Sequence, residues 1–372
     1  MVVPFFRPEL IKVAERNKLE RADLFLKNNF GDYTFTSSGR ASIYYILTQH
    51  QLNGSLVGTP VYACKSITDA IERSGNTPFF IDIDHEDLNI SFDSFRELAL
   101  NNNLKAVIVP SLYGNPAQLD RFEEFCRDHH ILMIDDAAQS FGASLKGRLA
   151  GTYGDAGFFS AAPGKCLSGF MGSICVNKKA PPPSPHRFHP IFQYLKFLSF
   201  CLNRVRNKSN ECNKASFAGR IVANLVGLVS RFADLYNEIP GNFVRNYFLS
   251  LVDHFNSGGF SYREEYWNLF NDQLSHCDLF RILRSRKGNP VFIKIVLIFH
   301  DPQEALLFRS FLETNNIAFI PGYRFWSDQY DSSIVLKDKI VELPIDPDQK
   351  VNAYMMEKIN EYVTNHRSKS RE

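Results

Sequence analysis

The chain has 372 residues, 44% of them hydrophobic and 22% charged, enough for two domains around full cores. Its 42 basic and 40 acidic residues leave a net charge of +2, without the bulk basicity of a protein whose main partner is nucleic acid. The 7 cysteines are scattered with no CxxC pair, so neither a metal site nor a disulfide framework is expected and a cytoplasmic location is.

The opening MVVPFFRPELIKVAERNK lacks the basic start, apolar core and cleavage site of a signal peptide. No uncharged apolar run reaches the roughly 18 residues of a spanning helix. Residues 37–145 then alternate strand-like and helix-like blocks. SLVGTPVY and PFFIDID read as strands around a helical TDAIERSG, and LKAVIVP, QLDRFEEFCRDHH and ILMIDD repeat the order. AVIVP and ILMID are continuous apolar runs, the pattern of strands buried on both faces of a parallel sheet. The helix between them places Leu119, Phe122, Phe125 and Cys126 on one side. These blocks predict an α/β architecture with a mostly parallel sheet and right-handed crossovers.

The region from about 178 to 250 changes character. KKAPPPSPHRFHP is too rich in proline for regular structure. IFQYLKFLSFCLNRVRNK and IVANLVGLVSRFADLY read as amphipathic helices of a lid or flap. The first sets Lys196, Arg204, Arg206 and Lys208 beside apolar and aromatic residues, which also suits a membrane surface. From about 290, a strand (PVFIKIVLIF), a helix (QEALLFRSFLETNN), a strand (IAFIPG) and a helix near 350–364 predict a small C-terminal α+β domain. The expected division is an N-terminal segment 1–30, a large domain 31–250 carrying a helical insertion at 178–250, and a small domain 251–372.

Three stretches carry chemistry. In TFTSSGRASIYYIL (34–47), Ser37 or Ser38 caps a helix starting near Arg40, and a helix N-terminus among small residues offers free N–H groups to a phosphate. In ILMIDDAAQSFGA (131–143), a buried strand ends in two acids at the edge where α/β folds bind ligands. Asp135 and Asp136 point to opposite sides of a continuing strand, so at most one faces a ligand. In GDAGFFSAAPGKCLSG (154–169), a strand-like FFS leads into a glycine-containing turn with one lysine, Lys165, among small and apolar residues. Apolar surroundings disfavour the ammonium form and make such an amine a nucleophile towards aldehydes. Together these parts suit pyridoxal 5'-phosphate: a lysine for its aldehyde, a carboxylate for its pyridine nitrogen, a helix N-terminus with hydroxyls for its phosphate.

The order TSSGRAS, VYACKSITDAI, VPSLYGNPAQLDRF, DDAAQSFGAS, KGRLAGTYGDAGFFS, a lysine after a gap of four residues, and a distant LPID resembles the sugar-nucleotide aminotransferases of the DegT/StrS family. The resemblance is dense over 34–177 and sparser over 290–364. It implies an aspartate-aminotransferase-like, fold-type I large domain with a smaller C-terminal α+β domain. It also implies a homodimer with the active site at the subunit interface. By the same resemblance Asp136 would pair with the pyridine nitrogen and Gln139 would hydrogen-bond the ring hydroxyl oxygen. Ser38, Ser160 and the backbone of Gly39 and Arg40 would hold the phosphate. Lys165 would bind the cofactor aldehyde as a Schiff base and then shuttle a proton. The implied reaction moves an amino group from an amino acid, glutamate by expectation, to a keto sugar nucleotide.

The chain also departs from the family's pattern. GFMGS follows the lysine turn where GEGG is common, Cys64 stands where an aromatic residue often stacks on the ring, and Arg40 replaces a frequent threonine. No counterpart of the asparagine that reaches the phosphate from a partner subunit is evident around GGFSYREEYWNLFNDQL. The missing aromatic stack and the altered GFMGS support the alternative of a non-catalytic or regulatory relative that binds the cofactor or a sugar in a glycan-assembly pathway. A deoxysugar dehydratase is disfavoured, because such relatives carry histidine where Lys165 stands. Tyr113 and Arg324 are candidates for nucleotide contacts by position alone.

Overall fold

The computed structural model describes residues 1–4, 11–177, 190–208, 240–285 and 287–369. Its first half contains α1 (Arg16–Phe30), β1 (Tyr33–Thr36), α2 (Gly39–Gln49), β2 (Leu56–Pro60), α3 (Lys65–Arg73), β3 (Thr77–Ile81), α4 (Phe92–Asn101), β4 (Ala106–Pro110), α5 (Leu119–Asp128) and β5 (Leu132–Asp136). A short hairpin of β6 (Ser144–Leu145) and β7 (Arg148–Leu149) follows, then β8 (Ala156–Ser160) and β9 (Ser173–Asn177).

Seven of these strands form one sheet in the order β1-β9-β8-β5-β4-β2-β3. From β8 to β3 all neighbours are parallel, and β9 alone runs against the rest, antiparallel to both β1 and β8. The expected strands and helices over 55–160 are therefore present. Every residue of β4 and β5 is buried, as their unbroken apolar runs require. Alternate residues feed two different cores: Val107, Val109 and Met133 join one cluster, Ala106, Ile108, Leu132 and Ile134 the other. That alternation is the two-residue period of a pleated strand with helices on both sides.

The second half contains α6 (Pro190–Lys208), α7 (Asn242–Asn256), α8 (Tyr262–Leu274), β10 (Phe280–Ile282), β11 (Lys294–Phe299), α9 (Pro302–Thr314), α10 (Asp331–Leu336), β12 (Ile340–Pro344) and α11 (Gln349–Lys369). β10, β11 and β12 make a separate antiparallel sheet covered by helices. Buried residues from Val244 to Phe260, and Ile293, belong to the large core, whereas many from Tyr266 to Val363, with Val3, build the second.

IAFIPG forms no strand. The Ile317 N–H closes the end of α9 on Leu312, Pro321 has no N–H to give, and only isolated bridges join Ile317 to Val3 and Ile320 to Glu342. The strand expected from Pro290 starts at Lys294, because the Val291 N–H is taken by the Gly114 carbonyl. IFQYLKFLSFCLNRVRNK is helical, with Phe192 buried on the body and Ile191, Tyr194 and Leu198 exposed. Most of KKAPPPSPHRFHP and all of IVANLVGLVSRFADLY lie outside the described residues. Among the described residues no helix is long and apolar enough to cross a membrane.

Candidate active site

The C-terminal ends of the parallel strands lie at one edge of the sheet, and the chain leaves each of them past a residue of interest. Cys64 follows β2, Leu112 follows β4, Asp136 ends β5 with Gln139 just beyond, and Ser160 ends β8 with Lys165 five residues on. The N-terminus of α2 faces the same edge. Together they enclose a cavity of about 330 Å³. Ser38, Gly39, Arg40, Cys64, Asp136, Gln139, Ser160 and Lys165 all line it, so the structure brings every expected site residue together.

Ser38 is the N-cap of α2, its hydroxyl accepting the Ala41 N–H at 3.3 Å. That settles the choice between the two serines and leaves the N–H groups of the first turn directed at the cavity. A Cβ on Gly39 would come within 2.9 Å of the Phe158 ring and 3.5 Å of the Ser160 Cβ, so glycine lets the helix start against β8. The Arg40 guanidinium donates to Ser66 Oγ at 3.3 Å, and the Cys64 thiol meets the same oxygen at 3.3 Å.

The two acids of β5 do point apart. Asp135 turns away from the cavity, where its Oδ2 accepts the N–H of Gly151 at 2.6 Å and of Tyr153 at 3.2 Å. Asp136 faces the cavity and its Oδ1 accepts the Ala138 N–H at 3.0 Å. Burial pushes the Asp136 carboxyl up to about 6, against the downward pull of the Ala138 N–H and the Lys165 charge.

Lys165 sits in the turn after β8, entered through Gly164 at φ +76°. Burial lowers its pKa, as does the Lys294 cation, while Cys64, Asp136 and Cys166 pull the other way. Its neighbour Cys166 is a tether: the thiol donates to the Gln139 carbonyl at 2.8 Å, and Arg263 donates to the Cys166 carbonyl at 3.0 Å. Burial raises that thiol to about 12, which keeps it protonated as a donor. The backbone beside the lysine is thus anchored to the loop that carries Gln139.

Gln139 accepts the Tyr113 N–H at 3.3 Å and donates to the Tyr323 hydroxyl at 2.9 Å, leaving its second amide proton for a ligand. Tyr113 itself is buried and hydrogen-bonds Tyr62 and Glu342, so its position serves packing. Arg324 lies against the Trp326 ring at 5.3 Å. Among the cavity residues that sequence reasoning did not place there are Phe192 and Lys196 of α6. The signal was the amphipathic pattern of that helix, which does not say what its inner face covers.

Residues 27–180 match the model of the DegT/DnrJ/EryC1/StrS aminotransferase family. The match covers less than half of the chain. The GDP-perosamine synthase of Escherichia coli O157:H7 is 30% identical over 158 residues, covering 42% of this chain and 43% of the relative. The enzyme of the same name from Vibrio cholerae is 26% identical over 167 residues, covering 45% and 44%. The chain thus matches less than half the length of these curated relatives. The solved DegT/DnrJ/EryC1/StrS aminotransferase of Brucella abortus superposes with a TM-score of 0.67 at 14% identity, covering 93% of this chain and 90% of the other. That likeness extends the common fold over nearly the whole chain. The architecture is the fold-type I α/β arrangement of DegT-type aminotransferases, with a mostly parallel seven-stranded sheet.

Proposed function

We propose that the protein is a pyridoxal phosphate-dependent aminotransferase that moves an amino group from an amino acid, glutamate in our reading, to the ketone carbon of a nucleotide-linked sugar. Such a reaction serves amino-sugar and surface-glycan synthesis in the cytoplasm. The observation that carries this reading is that Asp136 and Lys165 line one cavity with the N-terminus of α2. The donor leaves as its keto acid and the sugar ketone becomes an amine, so atoms balance without a further reactant.

The residues present fit the cofactor. Among the described residues the cavity wall carries Arg40 and Lys165 beside the N-terminus of α2, a setting suited to an anionic ligand. Pyridoxal phosphate supplies, when bound, an aldehyde carbon that carries the amino group and a ring that accepts an electron pair. Ser160 Oγ and the N–H groups of Gly39 and Arg40 hold the phosphate. Asp136 keeps a proton on the ring nitrogen, and Gln139 orients the ring through its free amide proton. Lys165, its ammonium destabilised by burial, moves a proton at the substrate carbon as acid and base. Phe158 and Ile67 give the cavity apolar walls. We further propose a homodimer with the site at the subunit interface, checked by sedimentation equilibrium.

The test is absorbance of the purified protein with pyridoxal phosphate, followed by borohydride reduction and peptide mapping. A long-wavelength band and a reduced adduct on Lys165 are expected. A band that persists in Lys165→Ala refutes the assignment. Glutamate should then discharge the band in a single turnover, and a band that glutamate never alters favours the regulatory relative instead.

A further inference from the structure

We propose that Tyr323, in the segment between α9 and α10, is a positioning residue that fixes the amide of Gln139 and so sets the donor presented to the cofactor ring. The inference rests on the pyridoxal phosphate reading above.

Gln139 lines the cavity, whereas Tyr323 reaches it only through that side chain. An amide can turn about its last bond and exchange oxygen for nitrogen, so what it offers a ligand depends on what holds it. Here both ends are held. The Tyr113 N–H can only donate, so the end of Gln139 that it meets at 3.3 Å is the oxygen. The nitrogen then faces the Tyr323 hydroxyl, 2.9 Å away. One proton of the NH2 group goes to the phenol and the other is left to the cavity. Without the phenol, the side chain keeps only the longer of its two bonds.

Both holders are themselves fixed. The Tyr323 N–H donates to the Tyr62 hydroxyl at 3.0 Å. Its ring packs edge-on against Tyr62 at 5.6 Å and lies tilted by 30° against Tyr113 at 5.9 Å. Gly322 precedes it at φ +82°, where a Cβ would stand 2.6 Å from the Tyr62 hydroxyl, so glycine lets the chain approach this closely. Tyr113 sits at φ +58°, a region a tyrosine rarely enters, with its phenol anchored on Glu342. Charge keeps Tyr323 neutral. Burial, then Glu342, Cys64 and Tyr62, hold its pKa well above the ordinary value, against the pull of the Gln139 amide, and the Lys294 ammonium lies 5.9 Å from its ring centre. It stays a protonated phenol, so its own titration does not enter the measurement below.

A donor on the ring hydroxyl oxygen favours the anionic form of that oxygen. Misplacing the donor should therefore raise the pH at which the long-wavelength band of bound pyridoxal phosphate titrates. The experiment follows that band in full-length wild type, Tyr323→Phe, Gln139→Ala and the double variant, with melting curves to verify the fold. Tyr323→Phe removes one oxygen and keeps the ring. Its midpoint should rise by about half to one pH unit, and its affinity for pyridoxal phosphate should fall by about two- to tenfold, the worth of one hydrogen bond. Gln139→Ala should shift at least as far, and the double variant no further than Gln139→Ala, because Tyr323 acts only through the amide. An unmoved Tyr323→Phe midpoint overturns the inference, as does a double variant whose shift is the sum of the singles. An unmoved Gln139→Ala overturns it as well, whatever the fold of the phenylalanine variant. Wild-type protein that binds no pyridoxal phosphate and gives no adduct at Lys165 sinks the cofactor reading and this inference together. Wild-type binding with an indifferent Tyr323→Phe sinks this inference alone.

Discussion

Tyr113 and Glu342 lie 229 positions apart in the chain, yet the phenol donates a 2.7 Å hydrogen bond to Glu342 Oε1. The other carboxylate oxygen takes the Lys294 ammonium at 2.5 Å, and the Tyr62 hydroxyl lies 2.6 Å from that of Tyr113. Glu342 and Lys294 stand on β12 and β11 of the second core, while the tyrosines belong to loops at the strand ends of the first. Burial and the Glu342 charge hold the Tyr113 pKa well above its ordinary value, so it stays a donor. A polar network thus joins the small sheet to the wall of the cavity.

Removing the carboxylate breaks a buried ion pair with Lys294. Glu342→Ala should cost about 3–5 kcal/mol in a urea unfolding series, and Glu342→Gln less, since an amide still accepts from Tyr113. A loss below about 1 kcal/mol for the alanine variant would show that this network does not hold the two cores together.

Asp136 should trade stability for its place in the site. Burial lifts its carboxyl from 3.8 to about 6. A carboxyl that binds its proton more tightly when folded contributes stability in full below the unfolded value, and loses that contribution as pH rises through the folded one. Asp136→Asn apoprotein should therefore gain on wild type between pH 4 and pH 8, by up to about 3 kcal/mol at some 1.4 kcal/mol per pKa unit. Thermal unfolding at the two pH values measures it, and a parallel shift of both proteins counts against an anionic, desolvated Asp136.

Ser38 has two separable tasks. Ser38→Ala should destabilise the fold by about 1 kcal/mol through loss of the α2 cap. Ser38→Asp keeps a capping oxygen but sets a negative charge at the anion end, so it should retain wild-type stability and lose pyridoxal phosphate. Retained cofactor in the aspartate variant would place the phosphate elsewhere.

Gly39→Ala should be costly without any change of charge, because the new methyl lands 2.9 Å from Phe158. Forcing that ring aside should cost about 1–3 kcal/mol and narrow the phosphate end of the cavity. Unchanged melting and cofactor retention would mean that the ring yields freely.

Much of this arrangement was legible in the residues. The unbroken apolar runs of β4 and β5 fixed their burial on both faces, and the two-residue period made it plain that only one of Asp135 and Asp136 could face a ligand. Resemblance, rather than periodicity, singled out Gln139, Ser160 and Cys64, since a polar residue after a strand carries no local mark of what it will meet. IAFIPG misled because its apolar content is that of a strand, while its hydrogen bonds are taken by the end of α9 and by Val3. The inward face of α6 was illegible for a related reason: amphipathicity fixes that a face is covered, and only tertiary packing decides by what.

The reversed direction of β9 has a consequence for how such a site can change. A parallel neighbour would need a long crossover on the far side of the sheet, whereas here the chain turns straight back within residues 161–172. The Ala161 N–H donates to the Gly172 carbonyl at 2.8 Å, which clasps both ends of that excursion on the two strands it joins. The lysine thus rides on a short excursion whose base is shut by the sheet and whose far side is packed into the large core. A different excursion grafted there would have to keep the core contacts of Cys166, Leu167 and Phe170.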